Sequence, residues 1–277
     1  MKENLNKKFF FHVGTGKTGT TFLQYRVFPK LKGIYYIQRT RFRKAKEIID
    51  KSHRNAFLIS REFDQQLEEQ VSKFSSVFPD TTPIIVFRRH DDYIASQYRR
   101  FVKNGFTGGF HSFFDLENDT GYFKKHDLDY FRQIEILEKY FKPKPIVLFY
   151  NDLRKDPHKF IDRLTALLDA TIDHNDLNLN KKHTSYSEKQ LKGILKVGRY
   201  INLRKRRIFR NNFLHFLWRL YQGLLRYSTL YISELIPEQF FNKEPLIPKS
   251  ELEKIREYYT ADWEKCLAYS GAENASD

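Results

Sequence analysis

The sequence predicts an α/β protein with a central parallel sheet flanked by helices, plus a helical C-terminal region. Short apolar runs recur at 9–13, 34–37, 57–60, 84–87 and 146–150, and charged segments of helical spacing separate them near 42–52, 64–76, 92–103, 127–141 and 157–169. Strands apolar along their whole length must be covered on both faces, so the intervening helices are expected on both sides of the sheet. The 277 residues suit one large core with an appendage. The boundary is expected near 180, with an α/β core at 1–180 and a helical, basic extension packed on it at 181–277.

Composition narrows the class. Apolar residues form 40% of the chain and aromatics 16%, enough for a core and contrary to disorder. The 49 Lys and Arg against 34 Asp and Glu leave a net charge of +15, which favours an anionic partner: a phosphorylated nucleotide, an acidic polymer, a nucleic acid or a lipid surface. The single cysteine, Cys266, excludes an intramolecular disulfide and a Cys-rich zinc site. Residues 1–14 lack the apolar core of an export signal and read as the approach to a first strand. No segment reaches the roughly 20 uncharged apolar residues of a membrane span. The nearest, 213–232, is broken by Arg219 and Arg226. These features suit a cytoplasmic protein, with contact at the inner face of the membrane left open.

The first strand, 9–13, runs into Gly14-Thr15-Gly16-Lys17-Thr18-Gly19-Thr20-Thr21, where a helix begins. Small residues let successive amides approach an anion, a following helix N-terminus favours negative charge, and Lys17 adds a mobile ammonium. The order is that of a P-loop-containing nucleotide-binding fold, and a purely structural glycine turn is the alternative. A regular Walker A loop needs glycine five residues before the Gly-Lys pair, where this chain has Phe11.

The strand at 57–60 leads into Arg61 and Glu62, and Glu62 is either a general base or an acid paired with a structural cation. The strand at 84–87 ends on Arg88 and Arg89 and leads into a helix carrying Ser96. Loops are expected at 105–114 and 173–187. The strand at 146–150 is followed by Asn151, and Asp156-Pro157 starts the next helix. Residues 189–233 hold eleven Lys or Arg and no acid. Within them Phe213, Phe216, Leu217, Leu220, Leu224 and Tyr227 form a helical apolar stripe that packs on the core, rests on a membrane surface or meets a partner. Pro237, Pro245 and Pro248 mark a loop before a final helix near 249–268.

His12 to Thr21, read as His-x-Gly-x-x-Lys-x-Gly-Thr-Thr, resembles the start of the sulfotransferase family that uses 3'-phosphoadenosine 5'-phosphosulfate (PAPS), particularly its bacterial members. The resemblance implies that Lys17, Thr18, Gly19, Thr20 and Thr21, in a loop opened by Gly14, Thr15 and Gly16, hold the 5'-phosphosulfate. It also implies that Lys17 steadies the bridging oxygen as the sulfuryl group leaves, with adenosine 3',5'-bisphosphate (PAP) as product. Arg88 and Ser96 have the family's spacing for a 3'-phosphate site. Glu62 stands roughly where cytosolic members carry a catalytic histidine, which makes Lys17 and Glu62 the catalytic candidates.

Asn151 replaces an acid usual in the family's later strand region. Lys181-Lys182-His183-Thr184-Ser185 and Lys192-Gly193 are candidates for a basic loop closing on the 3'-phosphate. The similarity runs from residue 8 to about 169. It implies transfer of a sulfuryl group to an acceptor hydroxyl without a metal. The chain's own basic side chains point to a glycan or glycolipid acceptor, Phe101, Phe106, Phe110, Phe113 and Phe114 stack on sugar faces or hold a small aromatic acceptor, and the basic-aromatic segment leaves membrane contact through 209–232 as a further option. His12 immediately precedes the loop and is a candidate supporting residue, its direction at the strand end left open. The competing readings are a P-loop nucleotide kinase or phosphotransferase, and a nucleic-acid-binding module around 196–226.

Overall fold

The computed structural model describes residues 7–179, 186–204 and 208–271. Five strands, β1 (Lys8–Gly14), β2 (Tyr35–Ile37), β3 (Ala56–Ser60), β4 (Thr81–Phe87) and β5 (Ile146–Phe149), pair in parallel in the order β2-β3-β1-β4-β5. The helices in chain order are α1 (Thr20–Phe22), α2 (Ala45–Asp50), α3 (Leu67–Ser75), α4 (His90–Lys103), α5 (Phe110–Phe113) and α6 (Tyr130–Tyr140), then α7 (Tyr150–Lys155), α8 (Pro157–Leu168), α9 (Glu188–Gly198), α10 (Asn212–Leu235), α11 (Lys249–Tyr258) and α12 (Thr260–Ser270). The final helix expected near 249–268 is two helices, parted at Tyr259.

Alternation of side chains along the strands divides the core between two faces. Phe9, Phe11 and Val13 of β1 join Phe57, Ile59, Ile85, Phe87 and Phe149 on one face, covered by α3, α6 and α12. Phe10, Leu58, Ile84, Val86 and Leu148 line the other, covered by Leu23, Val27 and Phe28 after α1 and by α8. The first face is aromatic at its centre, where the rings of Phe11 and Phe74 approach to 4.2 Å. Cys266 of α12 is fully buried in it, and burial pushes its thiol pKa well up.

Strand β4 begins three residues earlier than the apolar run suggests and includes Pro83. Proline cannot donate to a ladder, so it is tolerated where one flank is unpaired. Here β5 pairs β4 only from Ile84 onward, which leaves Pro83 with β1 alone.

The chain divides into two units, one of 1–89, 126–180 and 258–277, the other of 90–125 and 181–257. The first holds the sheet. This division assigns α12 to the sheet unit and α4 to the helical one, whereas the sequence places the boundary at 180.

In the second unit the buried Asp91 carboxylate accepts hydrogen bonds from Arg256, with its Oδ2 2.9 Å from Nε, tying α4 to α11. The loop after α4 is organised by aromatic rings: Tyr98 donates to the Gly108 carbonyl at 3.0 Å, and the Arg204 guanidinium lies 5.6 Å from the Phe101 ring centre. A cavity of about 690 Å³ is lined by Phe106, Arg199, Tyr200, Asn202 and Arg204 among others. Lys192-Gly193, a candidate basic loop from sequence, instead lies within α9. Gly193 gives α10 close approach at Ser233, and the Lys192 ammonium donates to the Asn242 carbonyl at 2.9 Å. The other candidate, 181–185, lies outside the described residues.

Candidate active site

All five strands point the same way, so the segments leaving their carboxyl ends collect along one edge, the usual location of ligands in parallel sheets. At that edge β1 ends on Gly14 with φ +126°, a conformation closed to L side chains, and a Cβ there would stand 3.3 Å from the Phe63 backbone nitrogen and oxygen. The loop closes at Gly19 with φ +80°, where a Cβ would meet Leu153 at 2.6 Å. Between them Thr15 and Thr18 turn inward. The Thr18 hydroxyl donates to the Thr15 carbonyl at 2.7 Å, and the Thr15 hydroxyl donates to the Val86 carbonyl at 3.4 Å, anchoring the loop to β4. Lys17, at φ +69°, and Thr21 are exposed, while Thr20 is buried. Helix α1 passes into a π turn at Leu23–Val27 and a 3₁₀ turn at Phe28–Lys30, so the helix expected after the loop is irregular.

The chain leaving β3 continues its pairing with β1. Arg61 N–H donates to the His12 carbonyl and Phe63 N–H to the Val13 carbonyl, both at 2.9 Å. In such an extended stretch residues two apart share a side, which brings Glu62 and Asp64 together. The Gly16 N–H donates to Asp64 Oδ1 at 3.0 Å, and a Cβ built on Gly16 would lie 3.5 Å from Glu62 Oε2. Two carboxylates therefore face the middle of the loop.

Arg88 follows β4. Its carbonyl accepts the Tyr130 hydroxyl at 2.9 Å, and the Tyr130 ring stacks on Phe87 with centres 4.4 Å apart. The backbone so held directs the guanidinium 5.0 Å from the Tyr150 ring centre, with Nη1 donating to the Lys17 carbonyl at 3.4 Å. Ser96 is half-buried on α4 in the second unit. Behind the loop His12 and Ser60 share a hydrogen bond of 2.8 Å between Nδ1 and Oγ, and Gln24 donates to the same Oγ at 2.9 Å. Complete burial pulls the His12 pKa down to about 3, so the imidazole is neutral near pH 7.

Within the sheet unit the structure thus gathers Gly14 to Thr21, Glu62 and Arg88. Sequence reasoning missed Asp64, Tyr130 and Tyr150. Asp64 was detectable as the acid two residues beyond Glu62 in an extended segment; the aromatic supports of Arg88 left no local signal. Lys17 and Arg88 offer positive charge and donors to an anion, and Glu62 beside the loop offers a proton acceptor. That pairing suits transfer of an anionic group to a hydroxyl.

Comparison with known proteins accords with this geometry. Residues 8–213 match the family described as the sulfotransferase domain. Among solved structures, a sulfotransferase from Alicyclobacillus acidocaldarius is similar with a TM-score of 0.51 at 16% identity, over 69% of this chain and 92% of that one. Mouse sulfotransferase SULT7A1 complexed with PAP aligns with a TM-score of 0.41 at 13% identity, over 94% of this chain and 85% of that one. No curated protein matches.

Proposed function

We propose, from the premise that this chain belongs to the sulfotransferase domain family, that it transfers a sulfuryl group from PAPS to a hydroxyl of a glycan or lipid-linked glycan. The observation that carries the reading is the meeting of the Gly16-Lys17 backbone with Glu62 at the carboxyl edge of the sheet, 3.5 Å separating Glu62 Oε2 from the Cβ position of Gly16. Family membership sets the nucleotide-kinase and nucleic-acid readings aside.

The residues fit an anionic donor of this kind. Gly14 and Gly16 present backbone without side chains, Lys17 is exposed, and Arg88 is fixed behind it. The donor, when bound, supplies a sulfuryl group on a phosphate that is a stable leaving group. In the proposed reaction Glu62 accepts the acceptor's hydroxyl proton as that oxygen bonds to sulfur. Lys17 and the amides of Thr18 to Thr21 stabilise the charge that develops on the phosphate oxygen as the sulfur–oxygen bond breaks. Thr15 and Thr18 shape the loop through their inward hydroxyls, and Arg88 would take the 3'-phosphate through charge-assisted hydrogen bonds. The acceptor class rests on the basic and aromatic side chains of the second unit, among them Phe106, Arg199 and Arg204, whose rings and guanidinium groups suit an acidic sugar.

The test is calorimetric binding of PAP beside adenosine 5'-monophosphate, with ATP plus magnesium as control, on the unaltered chain and on Arg88→Ala. The expected result is a marked preference for PAP that Arg88→Ala narrows. Binding of ATP in preference to PAP would overturn the reading.

A further inference from the structure

We propose that α10 lies flat on an anionic membrane leaflet, with its apolar face in the boundary between headgroups and acyl chains. The helix is inside out. Phe213, Leu217, Leu220, Leu224, Tyr227 and Tyr231 follow one another at spacings of four and three along one face, and that face is turned to solvent: Phe213 is 65% exposed, Leu224 60% and Tyr231 62%. The opposite edge is largely polar, with Leu230 buried in it. Arg226 donates to Asn104 Oδ1 at 3.3 Å, and Ser233 packs against Gly193 of α9 while its hydroxyl donates to the Thr229 carbonyl at 2.6 Å. A helix of a soluble domain normally turns the other way. The helix is 24 residues, and the outward stripe from Phe213 to Tyr231 is about 28 Å long. Contiguous apolar surface on that scale marks a place where something else docks.

Charge selects the occupant. The six stripe positions carry no charge, with the exposed Glu234 following them at the helix end, and the segment 189–233 carries eleven Lys or Arg and no acid. A second copy of the chain would set this cationic surface against itself, whereas an anionic leaflet complements it. Tyr227 and Tyr231 on the stripe belong to a residue type that favours the headgroup region. Among the described residues no helix is long and apolar enough to cross a membrane, so α10 rests on the bilayer rather than spanning it. The inference concerns where the protein works and stands apart from the donor assignment.

The full chain should be floated with vesicles of phosphatidylcholine alone, and with vesicles containing about one third phosphatidylglycerol. Anionic vesicles are expected to bind at least about tenfold more tightly than neutral ones, with binding weakened by salt. The double substitution Leu220→Ser with Leu224→Ser, both on the exposed face, should lower that affinity by about tenfold or more while circular dichroism and the thermal midpoint stay unchanged. In a Tyr227→Trp variant, which places an indole on the exposed stripe, brominated acyl chains should quench the added tryptophan, whereas Trp263, buried in the sheet unit, stays unquenched. Failure of the chain to float with anionic vesicles overturns the proposal, as does undiminished flotation of the double variant. So does a stable dimer by light scattering that the same substitutions dissolve, since a second copy would then cover α10. PAP binding measured on the same samples separates failure here from failure of the sulfotransferase reading.

Discussion

The Asp64 carboxylate accepts the Gly16 amide at 3.0 Å, so the middle of the loop proposed to hold the donor already faces a negative charge. An incoming phosphosulfate meets that charge. Asp64→Asn keeps an oxygen acceptor and removes the repulsion, worth about 1 kcal/mol or more at roughly 4 Å, the bulk-water value being the lower bound. PAP affinity by calorimetry is expected to rise about fivefold. A weaker affinity in the variant would show that the ionised carboxylate is needed to hold the loop.

Lys17→Ala removes the one ammonium of the loop. Loss of a group that stabilises developing charge costs about 10² to 10³ in kcat, with a smaller change in the donor KM. Steady-state kinetics with saturating acceptor will show the split; a change confined to KM would make Lys17 a binding residue only.

Glu62→Gln preserves shape and hydrogen bonding and removes the proton acceptor. Turnover is expected to fall by about 10² to 10⁴, with PAP affinity unchanged within about twofold. Near-normal turnover at saturating acceptor would move the base elsewhere, with Asp64 the next carboxylate on the loop.

His12 gives the protein a pH dependence of stability. Its pKa is about 6.5 in the unfolded chain and is held near 3 by burial in the fold, so below pH 6.5 the unfolded state takes up a proton that the folded state refuses. This contribution is complete above pH 6.5 and is lost as pH falls toward 3, at up to about 1.4 kcal/mol per pH unit. Denaturant titrations between pH 7 and 4 should show that slope in the unaltered chain. In His12→Asn, which cannot titrate, the slope should be shallower.

Gly19→Ala tests the loop's closing turn. The added Cβ meets Leu153 at 2.6 Å and φ is +80°, so the substitution is expected to destabilise the sheet unit by about 1–3 kcal/mol. An unchanged thermal midpoint would show that the turn relaxes freely.

The strands were legible because buried parallel strands are continuous apolar runs: 9–13, 57–60 and 146–150 match β1, β3 and β5 to within a residue or so. The start of β4 was not, because a proline discounts a strand until its neighbours are known, and only the late entry of β5 frees Pro83. The loop and Arg88 were legible from residue types at fixed spacing. Tyr130, which holds Arg88, lies 42 residues away in sequence, and nothing local links them. The stripe of α10 announced an amphipathic helix, yet periodicity gives two faces and does not say which one meets the protein. Gly193 read as a loop residue for a related reason, since only the approach of Ser233 explains a glycine inside α9.

The chain's single thiol, Cys266, is fully buried in the aromatic face of the sheet unit, and burial disfavours its thiolate. An electrophile such as a maleimide has no reactive sulfur to find while that core is closed. Labelling of the unaltered chain therefore reads out opening of the sheet unit: mass spectrometry after timed exposure counts the molecules that have breathed. A cysteine introduced on the exposed face of α10 would meanwhile be the only fast-reacting handle, ready to carry a fluorophore without first removing the native one.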